Sequence, residues 1–227
     1  SDEFRLSFSN MFDQRPSIAY CPGRQRFLVT WTRGPDYDFE KGVADVYGQF
    51  VDSTGTQLQG GNFVIAAADK NQFKSDVTCD VVNDRFLVLW EDQRQLSTQD
   101  DIYGQLISSD GTLMGANFLV AGTSNIERRP VAAANSVDGS YLLVWESGVD
   151  GQEVMYSQKM DSDGHLLQSP ILVGPNVGGS RNRAAIAYLK PQNVYFVVFA
   201  NSGADGVSGG IYGQFLESNG QLRETAF

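Results

Sequence analysis

The chain has 227 residues, a hydrophobic fraction of 41% and a net charge of −10. That is enough apolar content for a sizeable core, and it gives no basic footprint for nucleic acid or an anionic membrane surface. No apolar run approaches the ~18–20 residues of a membrane span, which argues against membrane insertion, and "SDEFRLSFSN" at the start has neither the charge nor the apolar block of a signal peptide, so any such segment is expected to be absent from this chain.

In chain order, the first strand-sized segment is "EFRLS" at 3–7, and after it one unit is written four times. The unit opens with a small, apolar strand behind a basic residue: "RPSIAY" from Arg15, "KSDVTC" from Lys74, "RPVAAA" from Arg129 and "RAAIAY" from Arg183. Next comes an apolar run ending in a large ring: "FLVTW" to Trp31, "FLVLW" to Trp90, "YLLVW" to Trp145 and "YFVVF" to Phe199. The third segment is "DVYGQF", "DIYGQL", "VMYSQK" or "GIYGQF", with its Tyr at 47, 103, 156 and 212, so the intervals are 56, 53 and 56 residues. A Gly follows each Gln by six residues (Gly55, Gly111, Gly164, Gly220), in turns reading "DSTG", "SSDG", "DSDG" and "ESNG". The fourth segment is "NFVIA", "NFLVA" or "PILVG", and the last unit stops without one.

Val-, Ile- and aromatic-rich runs cut by Gly, Asn and Asp turns predict strands, and no stretch carries helical periodicity. Four-stranded units repeated at this length are the mark of propeller blades. The expected fold is therefore an all-β, four-bladed β-propeller with four antiparallel strands per blade. One domain, 1–227, divides into blades at about 15–68, 74–123, 129–175 and 183–227 plus 3–8, the N-terminal strand completing the last blade and closing the ring. A β-sandwich is the weaker alternative.

Alternate residues of a strand face opposite sides. Tyr47, Gln49, Tyr103, Gln105, Tyr156, Gln158, Tyr212 and Gln214 are read as structural joints rather than as a repeated ligand site. Gly48, Gly104, Ser157 and Gly213 are read as clearance for a ring, with Trp31, Trp90, Trp145 and Phe199 as the candidates. Each buried Gln is expected to bond backbone on an adjacent strand or blade.

Function is expected where the repeat varies. The loops after the large rings carry the acidic candidates Asp36, Asp38, Glu91, Asp92, Asp101, Glu146 and Glu153, with Glu40, Asp45, Asp100, Asp150 and Asp205 beside them. A solvated acidic rim is the favoured reading, with cation or polyol binding as the competing one. Arg15, Lys74, Arg129 and Arg183 are expected to ring the channel mouth, where they would either hold a small anion, a carboxylate or an acidic sugar, or pair with Glu91 and Glu146 and lock blades together. The single histidine, His165, supports no catalytic triad and no histidine-rich metal site. "DSDG" at 161–164 is read as a turn rather than a calcium loop. Cys21 and Cys79 fall one position out of step between consecutive units, and two buried free thiols are favoured over a disulfide.

The repeat [DEG]-[IV]-Y-G-Q-x-x-x-x-x-G-x-L after an aromatic-capped strand resembles repeats of bacterial secreted and surface proteins, in which segments of the type D-I-Y-x-Q-R-F recur. This chain has Phe50, Leu106, Lys159 and Phe215 where those repeats carry Arg. The resemblance covers the whole chain and implies a propeller, a secreted, periplasmic or cell-surface location, and a binding or scaffolding role. It transfers no catalytic residues. The expected function is a non-enzymatic module that engages a glycan, protein or small anionic ligand through the variable-loop face and channel mouth. The alternatives are a polysaccharide hydrolase or lyase using rim carboxylates, and a structural spacer of a larger surface protein. No cofactor is implied beyond room for a channel-bound ion, and the oligomeric state is left open.

Overall fold

A computed structural model describes residues 3–36, 43–58, 61–95, 99–149, 151–174, 180–202 and 209–224. Its regular structure is antiparallel strand, apart from one 3-10 turn at Lys190–Gln192. The first sheet holds β1 (Phe12–Cys21), β2 (Arg26–Gly34), β3 (Asp45–Asp52) and β4 (Phe63–Ala66). The second holds β5 (Gln72–Asp80), β6 (Arg85–Asp92), β7 (Asp101–Ser108) and β8 (Leu113–Ala121). The third holds β9 (Ile126–Ala134), β10 (Tyr141–Gly148), β11 (Val154–Met160) and the short β12 (Ile171–Leu172). The fourth has three strands, β13 (Ser180–Leu189), β14 (Val194–Ser202) and β15 (Gly210–Glu217). Within each sheet the strands pair in sequence order, as consecutive hairpins dictate. The turn glycines Gly55, Gly111, Gly164 and Gly220 have φ of 86°, 97°, 93° and 84°, a conformation in which a Cβ would be strained.

Strand alternation builds the core. Phe86, Val88 and Trp90 of β6 face the first sheet, and Leu87 and Leu89 face the third. Tyr141, Leu143 and Trp145 of β10 then face the second sheet, while Leu142 and Val144 face the fourth. Both middle strands are buried on two faces, which only face-to-face stacking of sheets allows. The first strands pack in sequence, β5 against β1, β9 against β5 and β13 against β9; β13 and β1 do not pack on one another to that extent.

Residues 3–9 form no strand, and among the described residues the fourth sheet lacks the expected outer one. The segment nevertheless lies against the first sheet as β4 lies against the second. Asn62 Nδ2 donates to Leu6 O at 2.8 Å, where Asn117 Nδ2 donates to Ile65 O at 3.3 Å. Gln57 Nε2 also donates to Arg5 O at 2.6 Å, so the segment's carbonyls are engaged by side chains of the first sheet. Over Gly213 in β15, the place of an outer-strand ring is taken by Phe196 of β14.

Cys21 and Cys79 form a disulfide with Cα atoms 5.5 Å apart, contrary to the expectation of free thiols. The one-position offset between the repeats is what the joint requires. Stacked sheets meet through opposite faces, so contacting residues of equivalent strands must differ in parity.

Candidate functional site

The four basic residues do not open their strands. β1, β5, β9 and β13 begin two or three residues earlier, and each carries a register shift at its basic residue. Arg15, Lys74, Arg129 and Arg183 sit there with φ of 56°, 53°, 47° and 56°, a left-handed conformation that costs a side-chain-bearing residue about 1 kcal/mol or more. Three of the bulge N–H groups reach the preceding sheet: Lys74 N donates to Thr32 Oγ1 (3.0 Å), Arg129 N to Glu91 Oε1 (2.9 Å) and Arg183 N to Glu146 Oε1 (2.6 Å). The acceptor in each case is the residue after the Trp. The strain at these three bulges is thus balanced by a bond that ties consecutive sheets together.

The other oxygens of the two glutamates face cations of their own sheet. Lys74 Nζ lies 2.7 Å from Glu91 Oε2, and Arg129 Nη1 lies 2.6 Å from Glu146 Oε2. Burial raises the carboxyl of Glu91 against the opposing pull of Lys74, and burial likewise raises that of Glu146. All four basic residues line one open cavity of about 520 Å³, together with Ser17, Ser75 and Asp76. Asp76 is the one carboxylate in that lining, and the motif search missed it. It accepts from Ser17 Oγ at 3.0 Å and from Ala132 N at 3.1 Å, and burial raises its carboxyl. Among the described residues no carboxylate pairs with the side chain of Arg183, whose sheet has Ala200 at the position of Glu91 and Glu146.

The expected solvated rim is corrected at five positions, one of them Asp100, which is 7% exposed. Glu91, Asp92, Asp101 and Glu146 are at most 1% exposed, because the strands continue past the large ring and carry these residues inward. Asp36 and Glu153 are half-buried, and Glu153 accepts from Ser180 Oγ. Asp38, Glu40, Asp150 and Asp205 lie outside the described residues. His165 pairs with Asp161 in an exposed turn, and no group of three metal-ligating side chains occurs among the described residues.

The Tyr-Gly-Gln segments serve the blades. Gln49 Nε2 donates to Phe50 O and Leu58 O, Gln105 Nε2 to Leu106 O and Met114 O, and Gln214 Nε2 to Phe215 O and Arg223 O, each stitching the hairpin that follows. Gln158 Nε2 donates likewise to Gln168 O. The ring over Gly48 is Phe63, and over Gly104 it is Phe118, not the Trp. Trp90 stands opposite Tyr103 in the ladder, one residue out of phase with Gly104, so it shares the face of Tyr103 and cannot cover the glycine. Trp31, Trp90 and Trp145 instead donate Nε1 to Asp13, Asp92 and Glu127. Tyr47, Tyr156 and Tyr212 are half-buried and Tyr103 is buried.

No family model and no curated protein matches this sequence. Among solved structures it is similar to a thermostable family-43 glycoside hydrolase (12% identity, 94% of this chain and 75% of that one, TM-score 0.61). It is also similar to an N-acetylgalactosamine deacetylase from F. plautii in complex with blood group B trisaccharide (11% identity, 95% and 69%, TM-score 0.58), and to the Hadza microbial sialidase Hz136 (10% identity, 92% and 45%, TM-score 0.63). At such identities the likeness is one of fold: this chain has a propeller-like all-β fold of antiparallel, mostly four-stranded sheets.

Proposed function

We propose that this chain is an exported binding module that holds a carboxylate-bearing sugar in the cavity lined by Arg15, Lys74, Arg129 and Arg183. The observation that carries the reading is the convergence of four basic residues on one cavity whose lining holds a single carboxylate, Asp76, while among the described residues no carboxylate pairs with the Arg183 side chain. Arg183 offers such an anion a planar fork for bidentate recognition. Solved neighbours named for sialidase activity or for a bound trisaccharide support a glycan as the ligand class. The Cys21–Cys79 disulfide supports an oxidising, extracytoplasmic compartment, and among the described residues no helix is long and apolar enough to cross a membrane. Calorimetric titration with glucuronate and N-acetylneuraminate against neutral glucose tests the site. Arg183→Ala should weaken the acidic sugars at least tenfold. Equal affinity for glucose, or an unaffected Arg183→Ala variant, would sink the reading.

The blades are inferred to close as a four-membered ring with residues 3–8 as the outer strand of the last one. The support is the equivalence of Leu6 with Ile65 and of Phe4 over Gly55 with Phe118 near Gly164. Hydroxyl-radical footprinting tests closure: a closed ring shields Phe196 and Ile211, which are 38% and 78% exposed in the open arrangement.

A further inference from the structure

The first two sheets each cover the face of their repeat tyrosine with an arginine. The Arg33 guanidinium lies 4.3 Å from the centre of the Tyr47 ring, and the Arg94 guanidinium lies 4.1 Å from that of Tyr103. Each arginine is anchored to the carboxylate that also accepts from the repeat tryptophan, Arg33 on Asp13 at 2.6 and 3.0 Å and Arg94 on Asp92 at 2.9 and 2.6 Å. Each also donates to an asparagine, Asn62 or Asn117, which in turn donates to the repeat glutamine.

In the third sheet the cation is missing while its surroundings persist. Glu127 takes the place of Asp13: it is 1% exposed and accepts from Trp145 Nε1 at 2.9 Å, Thr123 Oγ1 at 2.6 Å and Ser147 Oγ at 3.2 Å. Among the described residues no cation pairs with it. Residue 147 faces residue 127 in the β9–β10 ladder as Arg33 faces Asp13 in β1–β2, but it is a serine. Pro170 stands where the other sheets carry Asn62 and Asn117, so the carbonyl of Gln158 loses its asparagine donor. The result is a cavity of about 530 Å³ between β8 and the third sheet, lined by Glu127, Trp145, Ser147, Tyr156, Gln158 and Pro170 among others.

The geometry points to a binding site for an alkylguanidinium ligand, which would supply from outside the cation that Arg33 and Arg94 supply from within. The buried carboxylate accepts its N–H groups, the half-buried Tyr156 ring takes its flat face, and the Gln158 carbonyl offers a further acceptor. A buried carboxylate without a countercharge is costly, so a cation that fits gains from completing the pair. The negative charge of the whole chain draws cations toward it.

Agmatine is the probe, read by calorimetric titration, with carbamoylputrescine, in which a neutral urea replaces the guanidinium and the ammonium is kept, as its isostere. The wild type should bind agmatine and bind the isostere at least tenfold more weakly. Glu127→Gln, which keeps an acceptor for Trp145, should cost at least tenfold in agmatine affinity while circular dichroism stays native. Ser147→Arg should supply the internal cation, abolish agmatine binding and raise the melting temperature; because it adds a contact rather than removing one, it keeps the test independent of any folding defect in Glu127→Gln. No agmatine binding to the wild type at millimolar concentration, or equal binding to the wild type and Ser147→Arg, would overturn the assignment.

Discussion

Glu91 is where the bulges, the charges and the stacking of sheets meet, and removing it is the most informative single change. Its side chain is fully buried, with one oxygen on Lys74 Nζ and the other on the N–H of Arg129 in the next sheet. Glu91→Ala leaves that N–H buried without an acceptor, at about 1–3 kcal/mol, and removes a charge-assisted bond to Lys74 worth about 1.5–3 kcal/mol. Lys74 is a quarter exposed and recovers part of its loss from water, so a total of about 3–5 kcal/mol is expected. Glu91→Gln keeps an acceptor for Arg129 and should cost about 1–2 kcal/mol. Thr32→Ala removes the equivalent acceptor for Lys74 N from the first sheet, a neutral bond, and should cost about 1 kcal/mol. Urea titration at neutral pH, followed by tryptophan fluorescence with unchanged slope, gives the three values. A cost below 1 kcal/mol for Glu91→Ala, or one no larger than that of Glu91→Gln, would refute the view that the carboxylate secures the bulge.

The Cys21–Cys79 disulfide closes a separation of 58 residues, for which the chain-entropy relation gives about 4 kcal/mol; Cys21→Ser with Cys79→Ser should lower the melting temperature by roughly 8–16 °C, and a shift under 2 °C would contradict the bond. Gly104→Val brings a side chain onto Phe118, whose ring carbons lie 2.8 and 2.9 Å from the position of a Cβ, and should cost about 1–3 kcal/mol without changing ligand affinity. Gly213→Ala brings a Cβ onto Phe196, which is 38% exposed where Phe118 packs against a buried core cluster, so it should cost less than Gly104→Ala in a parallel melt, and an equal cost would favour a covered Phe196. Burial raises the carboxyl of Asp76 above its unfolded value, so its stabilising contribution is complete below the ordinary aspartate range and is lost as pH rises through the raised value. Asp76→Asn should therefore gain stability relative to the wild type as pH rises from the ordinary aspartate range through the raised value; a pH-independent difference would refute the shift.

The strands, their hairpins and the fourfold register were legible because their causes are local. Period-two alternation, Gly after each Tyr-Gly-Gln hairpin and an aromatic at the end of each second strand are all written within a few residues of one another. The NF dipeptides at Asn62–Phe63 and Asn117–Phe118 carried a signal that went unused: a repeated asparagine before a repeated ring marks the outer-strand clasp on Gln49 and Gln105, and Pro170 marks where it is absent. The bulges were not legible, since an arginine in the left-handed region has no sequence signature and is held there by a carboxylate some 40 residues away in another sheet. Glu91 and Glu146 looked like loop acids because the end of a strand was placed at its tryptophan.

The sequence by itself thus determined four repeats of one β unit, since each unit's pattern answers to its own hydrogen bonds and pleat. Which residues face one another between units was decided only by the stacking of sheets. That stacking joins opposite faces of equivalent strands, and so it pairs Cys21 with an out-of-step Cys79, buries acids that read as rim, and leaves Glu127 without the arginine its counterparts have. Such contacts join residues tens of positions apart, and local sequence carries no energy term for them.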